Sequence, residues 1–249
     1  MSKPLIICIS AKKRGGKNTA ANHIAGMYLL KTRRITHFRL DEFGLLHCNT
    51  NSHEFVLKEG EFNKVFNDSG VRIYSFADYL KKFCMDVFGL THEQCYGKEE
   101  QKNSLTNLKW QDMPTNSNIQ ELNILPPEFE DDFMTAREVL QYFGTDIIRK
   151  MLSDAWVNAT IAKINEEKPK LAIISDARFP NEIEGINNID GKTIRLLRNV
   201  CEEDSHFSEK ALDNFPLEKY SLVIDNQKMS IQQQSEALSP HVERWLKEI

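Results

Sequence analysis

The sequence predicts an α/β fold in which a parallel sheet is covered by helices on both faces, and three observations predict it. Short apolar runs recur along the 249 residues, several without polar alternation, as strands buried on both faces require. Segments of helical periodicity lie between them, so strand and helix alternate. The first apolar run also passes through a glycine-lysine turn into the first helical segment, in "LIICISAKKRGGKNTAANHIAGMYL" from Leu5 to Leu29.

Leu5–Ser10 is the first expected strand, and Asn18–Leu30 the first helix, opened by Ala20, Ala21, Ile24 and Ala25. Thr32–Gly70 is too long for a connection, and its strings "HFRLDEFGLLH" and "HEFVLKEGEF" are expected to pair as an added hairpin. Val71–Phe76 reads as a strand. Asp78–Phe88 reads as a helix with Leu80, Phe83, Val87 and Phe88 on one face and Asp78 as its N-cap. Leu105–Phe133 contains "PTNSNIQE", Pro126-Pro127 and the acidic "EFEDD", and is a second long excursion, a binding loop or lid or else decoration. A solvated loop accounts for the acidic run.

Thr135–Leu152 has the clearest helical spacing, through Val139, Leu140, Phe143, Ile147 and Met151, and Thr135 with Glu138 has the spacing of a capping box. Leu171–Ser175, Thr193–Leu197 and Leu222–Asp225 are the remaining strands, and Ser230–Ile249 is a closing helix interrupted by Pro240. The organisation expected is one domain over 1–249, with insertions at about 32–70 and 105–133 and a lid-like segment at about 199–215.

Composition narrows the function classes. Lys and Arg number 32 against 36 Asp and Glu, a formal net charge of −4, which argues against a broad electrostatic grip on nucleic acid or membrane. The cysteines (Cys8, Cys48, Cys84, Cys95, Cys201) are scattered, odd in number and never spaced as C-x-x-C, which suits a reducing compartment. No apolar stretch approaches transmembrane length, so a cytoplasmic protein is expected. His47, Cys48 and His53 do not have a standard zinc spacing.

The turn after the first strand nearly spells a phosphate-binding loop. That pattern is Gly, four residues, Gly, Lys, then Ser or Thr. Here Ala11 stands for the first Gly and Asn18 for the hydroxyl residue. A strand–loop–helix turn directs backbone N–H groups at an anion, and the helix start contributes about half a positive charge. Gly15 and Gly16 permit positive φ and close approach to phosphate oxygens. Lys17 can reach the β- and γ-phosphates, and Lys12, Lys13 and Arg14 add positive potential. The Asn18 carbonyl oxygen is a candidate Mg²⁺ ligand, direct or through water. Thr19 points about 100° further around the helix and suits a phosphate contact instead.

"GGKNT" resembles the G-K-D-T ending of the loop in phage-type deoxynucleoside monophosphate kinases, with Asn in place of Asp. Further strings resemble the same family in order. "SFADYLKKFCMDVFGLTHEQCYGKEEQK" is similar to its F-A-D-P-L-K start with F-G-L and Y-G-x-x-K, Tyr79 replacing Pro. "TAREVLQYFGTDIIRKMLSDAW" is similar to T-x-R-x-L-L-Q-x-x-G-T-D…R…W, "SDARFPNE" to D-x-R-F-x-N-E, and "CEEDSHFSE" with "LVIDN" to its later segments.

The resemblance implies a three-layer P-loop kinase fold with parallel sheet order 2-3-1-4-5, ATP and Mg²⁺ as cofactors, and phosphorylation of a deoxynucleoside monophosphate by a phage enzyme in the host cytoplasm. It implies donor contacts from Lys13, Arg14, Gly16, Lys17, Asn18 and Thr19. Metal support would come from Asn18 and Asp176, the latter just past a buried strand where α/β folds gather catalytic groups. For the acceptor it implies Lys13, Lys81, Arg137, Gln141, Thr145, Trp156 and Glu182. Arg137 and Gln141, four apart, share a helix face, and a guanidinium suits a monophosphate.

Bland alternatives stay open beside several of these. Trp156 can be ordinary core, Glu182 a first-turn helix acid, and Lys98 and Lys102 solvated. Arg178 is a candidate bridge between phosphates. Arg198, at a strand exit, is a candidate for the transferred charge, with His206 and Glu209 fixing the lid. The partners implied are small nucleotides, without nucleic acid or membrane, and a homodimer is left open. The other functions left open are a P-loop kinase for another small acceptor and a non-catalytic nucleotide-binding module.

Overall fold

β1 (Leu5–Ser10) has all six residues buried, because it is the centre of a sheet and has a parallel strand on each side. The structure, a computed structural model, describes residues 3–50, 53–57, 61–113, 132–199 and 210–249. Contacts divide the chain into two compact units, Met1–Phe76 with Val157–Ile249, and Ala77–Trp156.

The first unit holds the five-stranded sheet. β1 is followed by β2 (His37–Leu40), β3 (Leu46–Asn49), β4 (Glu54–Leu57) and β5 (Val71–Tyr74). β8 (Leu171–Ala177), β9 (Lys192–Leu196) and β10 (Leu222–Ile224) come late in the chain. The sheet order is β10-β9-β1-β8-β5, with every pairing parallel. With these five numbered in chain order and read from the β5 edge, the order is 2-3-1-4-5. The expected strands therefore stand, with β8 two residues longer, β5 two and β10 one residue shorter at the C-terminal end, and β9 displaced by one residue towards the N-terminus.

Ile7, Ile9, Leu171, Ile173 and Ile194 share one core with Ile24 and Leu29 of α1 (Lys17–Lys31). The intervening residues Ile6, Cys8, Ala172 and Ile174 are equally buried on the other face, as strand alternation dictates. α9 (Pro180–Asn187) packs against β1 and β9, with Pro180 at its start, where a missing N–H costs nothing. Val157 of α8 (Ala155–Glu167) fits against Gly185 of α9, where a Cβ would stand 2.7 Å from its Cγ1.

The helix after β10, α10 (Ile231–Leu246), runs through Pro240 rather than breaking there. Pro240 has no N–H for the i−4 bond. Leu238, Val242, Trp245 and Leu246 are nonetheless buried in the α1 core, and Ser239 donates its hydroxyl to the Ser235 carbonyl at 2.8 Å. Packing outweighs the single lost bond.

The first insertion also differs from expectation. It is a three-stranded antiparallel sheet in the order β2-β3-β4, followed by α2 (Phe62–Val65). "HFRLDEFGLLH" turns back on itself, because Gly44 adopts φ 78° and Asp41 accepts from the Phe43 and Leu45 amides. This sheet belongs to the core: Phe38 lies where a Cβ on Gly26 of α1 would come within 2.5 Å of its ring.

The second unit contains α3 (Asp78–Phe88), α4 (His92–Tyr96), α5 (Glu99–Lys102), the antiparallel pair β6 (Leu105–Lys109) and β7 (Phe133–Thr135), and α6 (Ala136–Gln141). Most of the second insertion, including the acidic run before Asp132, lies outside the described residues. α3 begins at Asp78 itself, with Ala77 as N-cap, so Asp78 acts as a first-turn acid rather than a cap. Its buried side is Leu80 and Cys84, while Val87 is exposed.

α6 opens with the expected capping box: Thr135 accepts from the Glu138 amide at 3.2 Å and Glu138 from the Thr135 amide at 2.7 Å. The helix does not stay α to Leu152. Tyr142–Ile148 widens to a π-helix before α7 (Arg149–Met151). A wider turn rotates the following residues out of the apolar register, so Met151 is 79% exposed despite its helical spacing.

Among the described residues no helix is long and apolar enough to cross a membrane. The four described cysteines are free and buried.

Candidate active site

The loop between β1 and α1 starts at Ala11, beyond the C-terminal end of the central strand. Arg14 at φ 58° and Gly16 at φ 89° are both left-handed, which folds the chain tightly before the helix begins at Lys17. The Gly15 amide donates to the Lys12 carbonyl at 2.9 Å. A Cβ on Gly15 would come within 2.7 Å of Ala11 Cβ and 2.9 Å of Lys12 O, so this position requires glycine. The first-turn amides of α1 lack helical acceptors, which leaves a positive helix end for an anion.

Lys17 Nζ donates to the carbonyls of Ala11, at 2.5 Å, and Lys12, at 3.0 Å, so its ammonium curls over the loop. Lys13 is half-buried, and Arg14 and Asn18 are exposed at the mouth. Thr19 packs against Gly44, where a Cβ would meet its Oγ1 at 2.2 Å, and the next turn adds Asn22 Nδ2 donating to the Gly44 carbonyl at 2.9 Å. The first insertion thus seats its β2–β3 turn on the helix that the loop opens.

A buried polar network backs the loop. Asn226, fully buried after β10, donates its amide to the Gly15 carbonyl at 3.0 Å and to Gln234 Oε1 at 2.6 Å. Gln234 donates to the Gly16 carbonyl at 3.3 Å. Asn226 Oδ1 accepts from the Arg198 amide at 2.8 Å. The Arg198 guanidinium, the candidate for transferred charge, binds the carbonyls of Asn226 and Met229, so it closes the turn after β10. Sequence reasoning did not single out Asn226 or Gln234. The one signal was that Asn226 ends the string "LVIDN".

Asp176 lies near the end of β8, next to β1 in the sheet. Its Oδ1 accepts from the Phe76 amide at 2.7 Å and its Oδ2 from the Ser75 hydroxyl. Those bonds fix the carboxylate's orientation, and a carboxylate is an oxygen donor of the kind Mg²⁺ takes. Glu182 is buried, and its Oε2 accepts from the amides of Arg178, at 2.6 Å, and Phe179, at 3.0 Å. That bonding matches the helix-start alternative and ties the turn after Asp176 to α9. Burial, with Glu182 and Asp176 adding negative potential, pushes the Cys8 thiol well above its ordinary pKa, so Cys8 is an inert core group.

Of the acceptor candidates, Lys13 and Glu182 lie in the first unit, and Lys81, Arg137, Gln141, Thr145 and Trp156 in the second, where α3, α4, α5 and α6 pack on one another. Lys81 Nζ stands over the Tyr96 ring, 4.2 Å from its centroid, and the Tyr96 hydroxyl donates to Asp78 at 3.4 Å. Arg137 pairs with Glu99 at 2.8 Å. Gln141 ends α6 and Thr145 lies in the π segment. Trp156 is buried and its indole N–H donates to the Gly144 carbonyl at 3.1 Å, within that segment, as the core alternative anticipated. His206 and Glu209 lie outside the described residues. His47 Nε2 donates to the Asp41 carboxylate at 3.0 Å, and among the described residues no cluster of three metal-binding side chains occurs.

The family model described as deoxynucleotide monophosphate kinase matches residues 5–234. A protein of Acanthamoeba polyphaga mimivirus named "Putative deoxynucleotide monophosphate kinase" is 29% identical over 170 residues, covering 62% of this chain and 74% of that protein. A deoxynucleoside-5'-monophosphate kinase of Escherichia phage T5 is 32% identical over 83 residues, covering 32% of each chain. The family match takes in the β1–α1 loop, Arg137, Asp176 and Gln234 in one span, and on that basis the chain belongs to the deoxynucleotide monophosphate kinase family.

Proposed function

We propose that the chain transfers the γ-phosphoryl group of ATP to a deoxynucleoside monophosphate, giving the diphosphate, on a P-loop kinase fold. One observation carries this reading: a glycine-lysine loop with two left-handed residues leads from the central parallel strand into a helix, in a chain of this family.

Lys17, Gly16 and the first-turn amides hold the donor phosphates, with Lys13, Arg14 and Thr19 beside them. Charge on the donor's phosphoryl oxygens grows as transfer proceeds, and fixed N–H donors stabilise it without reorganising. Asn18 and Asp176 would hold Mg²⁺ through oxygen ligands of the kind it takes, and the ion would supply neutralisation of phosphate charge. Arg137 and Lys81 bind the acceptor phosphate, and Gln141 and Thr145 its nucleoside. No strong protein base is required, because the attacking phosphate oxygen is already anionic and catalysis consists of positioning and charge stabilisation.

A coupled ADP-release assay across the deoxynucleoside monophosphates tests this. Acceptor-dependent turnover is expected, and Lys17→Ala should abolish it with the far-UV circular dichroism unchanged. ATP binding with no turnover on any nucleotide acceptor would overturn the proposal.

A further inference from the structure

β9 carries a buried cation that the phosphate loop does not use. Arg195 is 7% exposed. Its register partner in β1 is Ser10, whose hydroxyl is the guanidinium's hydrogen-bond partner at 3.4 Å. Ser10 in turn reaches the Tyr220 hydroxyl at 3.5 Å. Among the described residues no carboxylate lies within ion-pair distance of Arg195. Glu182, the buried acid of the neighbouring helix, has its Oε2 on the Arg178 and Phe179 amides. A guanidinium has five N–H donors, and among the described residues one long bond to a hydroxyl is made.

Arg195 lines a cavity of about 300 Å³. Lys12, Asn199 and Asp213 are its other polar walls, and Leu212 and Phe215 are among the apolar ones. Lys12 Nζ is paired with Asp213 at 3.0 Å. Among the described residues two cations and one anion therefore line the space, a formal charge of +1. A charge held away from water is costly unless a counter-charge or a full set of hydrogen bonds compensates it, and the described walls provide neither for Arg195. Arginine's planar fork matches a tetrahedral oxyanion through two parallel bonds.

We propose that this cavity is a second oxyanion site beside the phosphate loop, which takes a phosphate group on Arg195 with Lys12 of the loop at its edge. The phosphate is either free or carried by a nucleotide. Asp213 opposes binding, by repelling the anion and by holding Lys12.

Calorimetric titration with orthophosphate tests this in a Lys17→Ala background, where the phosphate loop has lost its lysine. Lys17→Ala protein should bind orthophosphate, and Lys17→Ala with Arg195→Met should bind it at least tenfold more weakly. The melting temperature of the double variant without phosphate should be unchanged or higher, since an apolar side chain of similar length replaces a poorly compensated charge. Asp213→Asn in the Lys17→Ala background should tighten orthophosphate binding several-fold, and this half-exposed position keeps the test intact if Arg195→Met fails to fold.

Equal orthophosphate affinity with and without Arg195, absence of binding to the Lys17→Ala protein, or no tightening by Asp213→Asn would each overturn the proposal. Thymidine monophosphate distinguishes the two sources. An Arg195-dependent affinity above that for orthophosphate identifies a nucleotide-borne phosphate, and an equal one identifies the free ion. The outcome is independent of kinase turnover, so failure here leaves the proposed function standing.

Discussion

Residue by residue, the loop shows how its altered spelling still folds as the proposed anion cradle requires. A phosphate is held by backbone N–H groups, so what matters is that the chain can fold tightly, not that each letter match a pattern. Ala11 fits where glycine is usual because its Cβ is buried beneath the loop, but Gly15 cannot be exchanged in the same way. Gly15→Ala would place a methyl group 2.7 Å from Ala11 Cβ and 3.2 Å from the Arg198 carbonyl, forcing the loop outwards. ATP affinity measured by calorimetry should fall about tenfold or more, because displaced amides lose hydrogen bonds worth about 1.5–3 kcal/mol each to a charged group. Affinity equal to the wild type would mean that these amides do not hold the donor. The loop and Lys17 were legible in the sequence because strand, turn and helix are contiguous. Asn226 was not, because its contact with Gly15 spans 211 positions and nothing local in "LVIDN" announces it.

At the scale of elements, local periodicity identified the strands well and failed where tertiary contacts or a changed helical pitch took over. The buried parallel strands are nearly continuous apolar runs, so their signal is strong. The π segment carries no such signal, and Pro240 sends a false one that core packing overrides. The pairing of α1 with α10 also carries a pH dependence that cannot be read from either helix alone. His23 of α1 is 8% exposed and shares a hydrogen bond of 2.9 Å with Ser239 of α10. Burial lowers its pKa from 6.5 to about 4. The unfolded chain therefore binds the proton more readily than the folded one between those values, and stability is full above pH 6.5 and falls as pH drops towards 4. Denaturant unfolding should lose about 2 kcal/mol between pH 7.5 and pH 5 through this group. His23→Gln can keep a bond to Ser239 without titrating, so its profile should be flatter over the same range. A wild-type slope in that variant would exclude His23 as the source.

On the scale of the whole molecule, the proposed roles divide between the two compact units, and that division makes them separable in kinetics. The donor groups Lys17, Asn18 and Asp176 belong to the unit built on the parallel sheet, and Lys81, Arg137, Gln141 and Thr145 to the other. If Arg137 binds the acceptor phosphate, Arg137→Ala should raise the acceptor KM about tenfold or more, as expected for one charge-assisted pair, and leave the calorimetric affinity for ATP unchanged. Glu99 supplies a test of opposite sign. It holds the Arg137 guanidinium at 2.8 Å and so competes with any phosphate for the same N–H donors. Glu99→Gln removes the competing charge and should lower the acceptor KM a few-fold, because an exposed ion pair of this kind is worth about 0.2–1 kcal/mol. In the double variant with Arg137→Ala the Glu99 effect should vanish, since there is no guanidinium left to release. An Arg137→Ala enzyme whose ATP affinity drops while its acceptor KM stays put would assign that arginine to the donor, and a Glu99→Gln gain that survives without Arg137 would show that Glu99 acts on the acceptor by another route.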